Sequence, residues 1–141
     1  MTSPVAAITS LTNPRIKAAG RLRDRRERDA MGLTLIDGAR ELRRALDAGV
    51  DVVEAFVCED FVRSPDATDV VARLRSSAPF VADVSEAVLA KVAFGDRSDG
   101  IVAVVRMPAT SLDDLALPTN ALLVVVEAVE KPGNLGAILR T

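Results

Sequence analysis

Short apolar runs alternating with helix-patterned segments between residues 33 and 105 constrain this chain more than any other feature. Leu33-Thr34-Leu35-Ile36, Val52 to Cys58, Phe80-Val81-Ala82-Asp83-Val84 and Ile101 to Val105 are largely apolar and rich in β-branched or aromatic residues, as strands are. Between them, Ala39 to Ala48 carries Leu42, Ala45 and Leu46 at helical spacing, with Gly49 as its stop. Ser64-Pro65 leads into a helix over 66–76 with core positions Val70, Val71 and Leu74, and Ser85 caps a helix bearing Val88, Leu89 and Val92. Such alternation calls for a layered α/β domain, with a mixed or mostly parallel sheet and helices on both faces.

The pattern begins earlier with a helix. Asn13-Pro14 pairs an N-cap side chain with proline at the first helical position, and the helix is expected to run from about Pro14 to Ala30 and stop near Gly32. At the other end, the loop Gly95-Asp96-Arg97-Ser98-Asp99-Gly100 precedes the last strand and the domain is expected to close near Met107, giving a unit over 1–107. Residues 108–120, bounded by Pro108 and Pro118, are expected to be a linker without regular structure. A second unit, 121–141, opens with the fully apolar run Ala121-Leu122-Leu123-Val124-Val125-Val126, expected to be a strand, and passes through Pro132-Gly133-Asn134 into a helix start. One strand and two helical turns cannot bury their own apolar surface.

Composition narrows the chemistry. Apolar residues make up 49% of the chain, enough for a packed core, yet there are four Phe and no Trp or Tyr. RNA modules that grip bases by stacking need aromatic platforms, so RNA contact here is expected through phosphates, shape and polar groups. With no His and one Cys, a disulfide within the chain is excluded, no His/Cys metal site is expected, and triads needing an imidazole base are out. Cys58, inside an apolar run, reads as a buried small hydrophobe. Neither a signal-peptide layout nor an apolar run of membrane-spanning length is present, which leads to the expectation of a soluble cytoplasmic protein.

The net charge of −2 conceals an asymmetry: residues 1–44 carry ten Lys/Arg against five Asp/Glu, and the remainder eight against fifteen. Seven of the basic residues fall between Arg15 and Arg28. On one continuous helix Lys17, Arg21 and Arg28 lie within about 40° of each other, with Arg25 beside them. Such a row suits a phosphate backbone, since each neutralised phosphate releases counterions. The plain alternative is a solvated helix face; the lack of balancing acids, and the addition of Arg40, Arg43 and Arg44 soon after, favour a nucleic-acid surface.

The second site is the Pro-Gly turn. An apolar strand running into a turn and a helix start is where α/β sheets place ligand sites. Gly133 is expected to permit an unusual backbone angle, and Asn134 to cap the helix while presenting its amide to the crevice. Neither Walker A nor Gly-x-Gly-x-x-Gly is present, which argues against a nucleotide-phosphate cradle.

The run Val126-Glu127-Ala128-Val129-Glu130-Lys131-Pro132-Gly133-Asn134-Leu135-Gly136-Ala137-Ile138-Leu139-Arg140-Thr141 closely resembles the first motif of SpoU/TrmH RNA 2′-O-ribose methyltransferases, enzymes of the SPOUT class. Ile8-Thr9-Ser10-Leu11-Thr12-Asn13-Pro14-Arg15-Ile16-Lys17, the basic helix, Leu35-Ile36-Asp37-Gly38 and Asp99-Gly100-Ile101-Val102-Ala103-Val104 resemble that family's N-terminal substrate-binding domain. Asp37 stands where the family more often has glutamate, and Lys131 where it often has aspartate.

The resemblance implies a three-layer α/β/α sandwich over 1–107, like the kink-turn-binding ribosomal proteins, followed by the start of a knotted catalytic domain. It implies ribosomal RNA, or else tRNA, as partner, S-adenosylmethionine as cofactor, no metal, and homodimers formed through the catalytic domain. Asn134 and Arg140 take the positions of catalytic residues, Asn134 shaping the site and Arg140 acting at the ribose 2′-hydroxyl. Asn13, Arg15, Lys17, Arg21, Arg25, Arg28 and Arg40 are the RNA-binding set. The later motifs that hold the cofactor are expected beyond Thr141, so these 141 residues alone should neither bind S-adenosylmethionine at useful strength nor transfer methyl. Calorimetry on this chain and on the longer enzyme separates the two. The competing reading is a stand-alone, non-catalytic RNA-binding protein of ribosomal-protein type.

Overall fold

A computed structural model describes residues 7–95 and 99–140; the expected loop positions Asp96, Arg97 and Ser98, and the terminal Thr141, lie outside them. The chain divides into two compact units, 1–108 and 109–141.

In the first unit Asn13 caps α1 (Pro14–Arg21), its Oδ1 accepting the Arg15 N–H at 2.9 Å. Helix α2 (Arg25–Met31) follows, then β1 (Leu33–Asp37), α3 (Ala39–Asp47) and β2 (Val52–Val57). After a single 3₁₀ turn come α4 (Pro65–Ser77), β3 (Val81–Asp83), α5 (Glu86–Val92) and β4 (Ile101–Arg106). Ser64 and Ser85 each accept from a backbone N–H in the first turn of α4 and α5, the second of them the cap expected from the sequence.

The four strands form one mixed sheet in the order β1-β4-β2-β3. Strand β4 runs antiparallel to both its neighbours, while β2 and β3 are parallel. Its central place explains its composition: Ile101 to Val105 are all buried, because both faces are covered. Val102 and Val104 point to one side, where they meet Ile16, Ala19 and Leu22 from around α1 and Val88, Leu89 and Val92 from α5. Ile101, Ala103 and Val105 point to the other, against Leu42 of α3 and Val70, Val71 and Leu74 of α4. Three layers result, helices on both faces of the sheet, as the resemblance implied. Each fully buried Val, Leu, Ile or Phe in them contributes about 1.5–3 kcal/mol relative to leaving it in water.

A register shift between Val52 and Glu54 makes β2 irregular opposite β4. Val53 is the extra residue, and the kink lets Val53 and Glu54 both serve the α1 side before regular alternation resumes at Ala55. Glu54 is the one buried charged residue among those described, and Arg15 satisfies it at 2.9 Å.

Three expectations are corrected. The helix expected over 14–30 is two helices. Leu22 is buried in the core, Asp24 caps α2 by accepting the Arg26 N–H at 2.8 Å, and the chain turns between them. The row of Lys17, Arg21 and Arg28 on one continuous face therefore does not exist. In the second unit, Ala121 to Val126 is not a strand, since no segment among the described residues pairs with it, and Leu122 and Val125 are more than nine-tenths exposed. Helix α6 (Pro132–Ile138) begins earlier than expected, with Lys131 at the N-cap and proline in its first turn. Asn134 is thus within the helix, not its cap, and Gly133 is helical; the positive φ in this region belongs to Ala128, at 57°. The 109–120 stretch contains only a 3₁₀ turn at Leu112–Asp114, capped by Ser111.

Candidate nucleic-acid interface

The break after α1 sorts the basic residues into separate tasks. Arg15 is engaged within the domain while its side chain stays half exposed: besides its ion pair with Glu54, its guanidinium carbon lies 3.9 Å from the centroid of the Phe80 ring. Arg28 folds back on the turn, and its Nη1 donates to the carbonyls of Leu22 and Arg23 at 3.0 and 2.9 Å. These are carbonyls at the end of α1, so Arg28 closes that helix. Arg25 pairs with Asp29 one turn on, at 3.5 Å. Arg40 at the start of α3 is bound to Glu41, whose pKa is lowered chiefly by that hydrogen bond.

Lys17 and Arg21 face a shallow groove of about 550 Å³ on the α1–α5 side, lined also by Gly20, Arg23 and Lys91. Gly20 forms an open part of the lining: a Cβ there meets nothing within 4 Å. Lys17 has no acidic partner among the described residues. Arg21 has a long contact to Glu27, 3.7 Å, with both side chains exposed, which is worth little in water. Lys91 donates one hydrogen bond to the Leu11 carbonyl at 3.0 Å, and Arg23 donates to the carbonyl of Ala93. Four cations thus converge from segments about 70 residues apart in sequence. Of the expected RNA-binding set, the groove gathers Lys17 and Arg21, while Asn13 caps the helix that carries them. Arg23 and Lys91 were not singled out by sequence, because no local signal tells which residue of α5 will face α1.

A latch of backbone contacts fixes the end of the sheet next to this groove. Asp37 accepts the N–H of Phe94, Asp99 accepts the N–H of Ala39 at 3.0 Å, and the Gly38 N–H donates to the Ile101 carbonyl at 3.1 Å. Gly38 has φ 104°, and a Cβ there lies 3.0 Å from the Glu41 carboxylate. Asp99 thereby caps α3 from outside it, since Gly38 at the N-cap has no side chain to do so. The two Asp-Gly pairs quoted from the sequence are the two halves of this latch.

Burial raises the Asp37 pKa above its usual value, opposed by the Phe94 N–H and reinforced by the nearby charge of Asp99. A carboxyl whose folded pKa is raised contributes stability that is full below its unfolded pKa and lost as pH rises through the folded one. Asp37→Asn, which keeps an acceptor for Phe94, is therefore expected to remove a rise in stability on acidification. Urea unfolding of both proteins across the acidic range checks this; identical pH dependence of the two sinks it.

The first unit is thus an α/β/α sandwich with a cation-lined groove on its α1–α5 side. The chain belongs to the family of MRM3-like substrate-binding domains, whose profile matches residues 13–103. It is similar to an uncharacterized tRNA/rRNA methyltransferase of Synechocystis sp., 34% identical over 143 residues, which take in all of this chain and 50% of that one. A crystal structure of an RNA 2′-O ribose methyltransferase is 42% identical with TM-score 0.73, covering 95% of this chain and 50% of the other. An rRNA methyltransferase from Sinorhizobium meliloti, solved with AdoMet bound, shares the fold with TM-score 0.64 at 24% identity, over 80% of this chain and 41% of its own. The chain spans about half the length of the relatives it matches.

Proposed function

We propose that this chain is the RNA-binding part of an enzyme that transfers a methyl group from S-adenosylmethionine to a ribose 2′-hydroxyl, with ribosomal RNA as substrate. The observation that carries the reading is the 42% identity to an RNA 2′-O ribose methyltransferase across 95% of the chain. The family match to a substrate-binding domain supports the division of labour, with binding assigned to the first unit and chemistry to residues near α6.

The cofactor supplies the electrophilic methyl when bound. The α1–α5 groove does not fit it, because a ring of cations repels a sulfonium. Arg140 lies in the turn after α6, with Nη1 3.3 Å from where a Cβ on Gly136 would stand, so the missing side chain at 136 lets the guanidinium fold back over that helix. An arginine remains protonated. Its role is accordingly to stabilise negative charge developing on the 2′-oxygen, with Asn134 of α6 orienting the ribose. The full-length enzyme pairs with a second copy through its catalytic portion, as the resemblance implies.

The test is methyl transfer by the full-length protein from radiolabelled S-adenosylmethionine to ribosomal RNA and tRNA pools, followed by nucleoside analysis. Label is expected in a 2′-O-methylribonucleoside from ribosomal RNA. Label confined to tRNA corrects the substrate, and label in a base-methylated nucleoside sinks the reading.

A further inference from the structure

Phe94 is the aromatic residue that the fold leaves out. Phe56 is fully buried, Phe61 and Phe80 pack against the core, and Phe94 is 49% exposed. It sits at the end of the cationic groove: the guanidinium carbon of Arg23, which lines the groove, is 5.4 Å from the Phe94 ring centroid. The ring is held in place from both sides of its own peptide. Arg23 binds the carbonyl of Ala93, and the Phe94 N–H is bound by Asp37. An exposed ring braced beside a cation-lined groove suits a ligand with both a flat apolar face and a negative backbone.

We propose that the groove and Phe94 together take an unpaired RNA segment, with phosphates on Lys17, Arg21 and Lys91 and one base stacked on the Phe94 ring. This rests on the reading that the chain binds RNA, and it names the kind of RNA. A duplex satisfies the cations but keeps its bases stacked inside, out of reach of the ring; an unpaired nucleotide satisfies both. The scarcity of aromatics in the sequence argued against base stacking, but one exposed ring in the right place is enough for one base. Arg23 is the link between the two parts, lining the groove with its charge while bracing the platform.

The experiment measures binding of the full chain to a fluorescein-labelled oligoadenylate and to a blunt RNA duplex, each at several salt concentrations. Phe94→Ala and Phe94→Leu are expected to weaken oligoadenylate binding by about five- to a hundredfold, leaving duplex binding and the salt slope unchanged. Lys17→Gln with Lys91→Gln is expected to weaken both probes and lower the single-strand salt slope by about 0.7 per lost contact. Gly20→Glu, at an open helical position, places a carboxylate in the groove and weakens both, while Gly20→Lys, of similar bulk, tightens them. Wild-type affinity for oligoadenylate in Phe94→Ala overturns the proposal and leaves the RNA reading standing. A reduced salt slope in that variant also overturns it, since the ring then serves only to hold Arg23. Failure of the unaltered chain to bind either probe overturns both.

Discussion

Methylation by the full-length enzyme is expected to fall by on the order of a hundredfold or more when Arg140 is replaced by Ala, with RNA affinity retained. The reasoning is differential: a fixed cation at the 2′-oxygen interacts more strongly with the charge that develops during transfer than with the neutral hydroxyl. The loss should therefore appear in kcat at saturating RNA and leave a filter-binding titration of the RNA unchanged. Arg140→Lys retains charge but not the planar fork, so it should recover only part of the rate. Methylation at the wild-type rate by Arg140→Ala reduces the residue to a helix arginine. Gly136→Val gives an independent check, since its side chain occupies the space along which the guanidinium lies.

Replacing Gly100 by Ala is expected to destabilise the first unit by about 2–5 kcal/mol, a left-handed backbone penalty joined to overpacking. Gly100 has φ 82°, and a Cβ there would stand 2.7 Å from the backbone oxygen of Cys58 and 3.1 Å from side-chain atoms of Phe61 and Val62. A backbone oxygen cannot swing aside, least of all here: the Cys58 N–H is bound to the Gly100 carbonyl at 2.8 Å. Thermal unfolding followed by circular dichroism should show a midpoint roughly 10 °C lower or more. Gly49→Ala separates the two causes. Gly49 has φ 73° but open space around it, so its substitution carries the backbone penalty alone. Equal losses at the two positions rule out the clash.

The strands were legible because each is an apolar run between breakers, and burial on both faces of β4 requires the uninterrupted Ile101 to Val105 that the sequence displays. The caps at Asn13 and Ser85 were legible for an equally local reason. What was missed is of two kinds. The break between α1 and α2 had a signal, Asp24 as an N-cap residue with Glu27 three positions later, but the helical period of charges ran through it. The partnership of Arg23 and Lys91 with Lys17 had none, since it depends on which helices the sheet order places side by side. Ala121 to Val126 reads as a strand by composition, yet a strand is a relation between two segments, and composition speaks for only one of them. Arg15 shows the same limit at one residue. By charge it belongs to an RNA surface, and only the bulge in β2 that turns Glu54 toward it reveals that it already has an acidic partner.

The place of β4 in the sheet has a consequence for how the domain comes into being. As a ribosome delivers the chain, β1, β2 and β3 emerge first, but β1 shares no hydrogen bonds with the other two. Among the described residues its partner is β4, the last strand of this sheet, which pairs Leu33 with Arg106 and Ile101 with Val57. Until residue 106 clears the exit tunnel, α1 and α5 on one side and α3 and α4 on the other have no middle strand to close upon. A nascent chain shorter than this holds a parallel β2–β3 pair and an orphaned β1, whose open edges invite pairing with other chains. Completion then requires closing loops of some 70 residues, an entropic cost that a sheet built from hairpins alone does not carry.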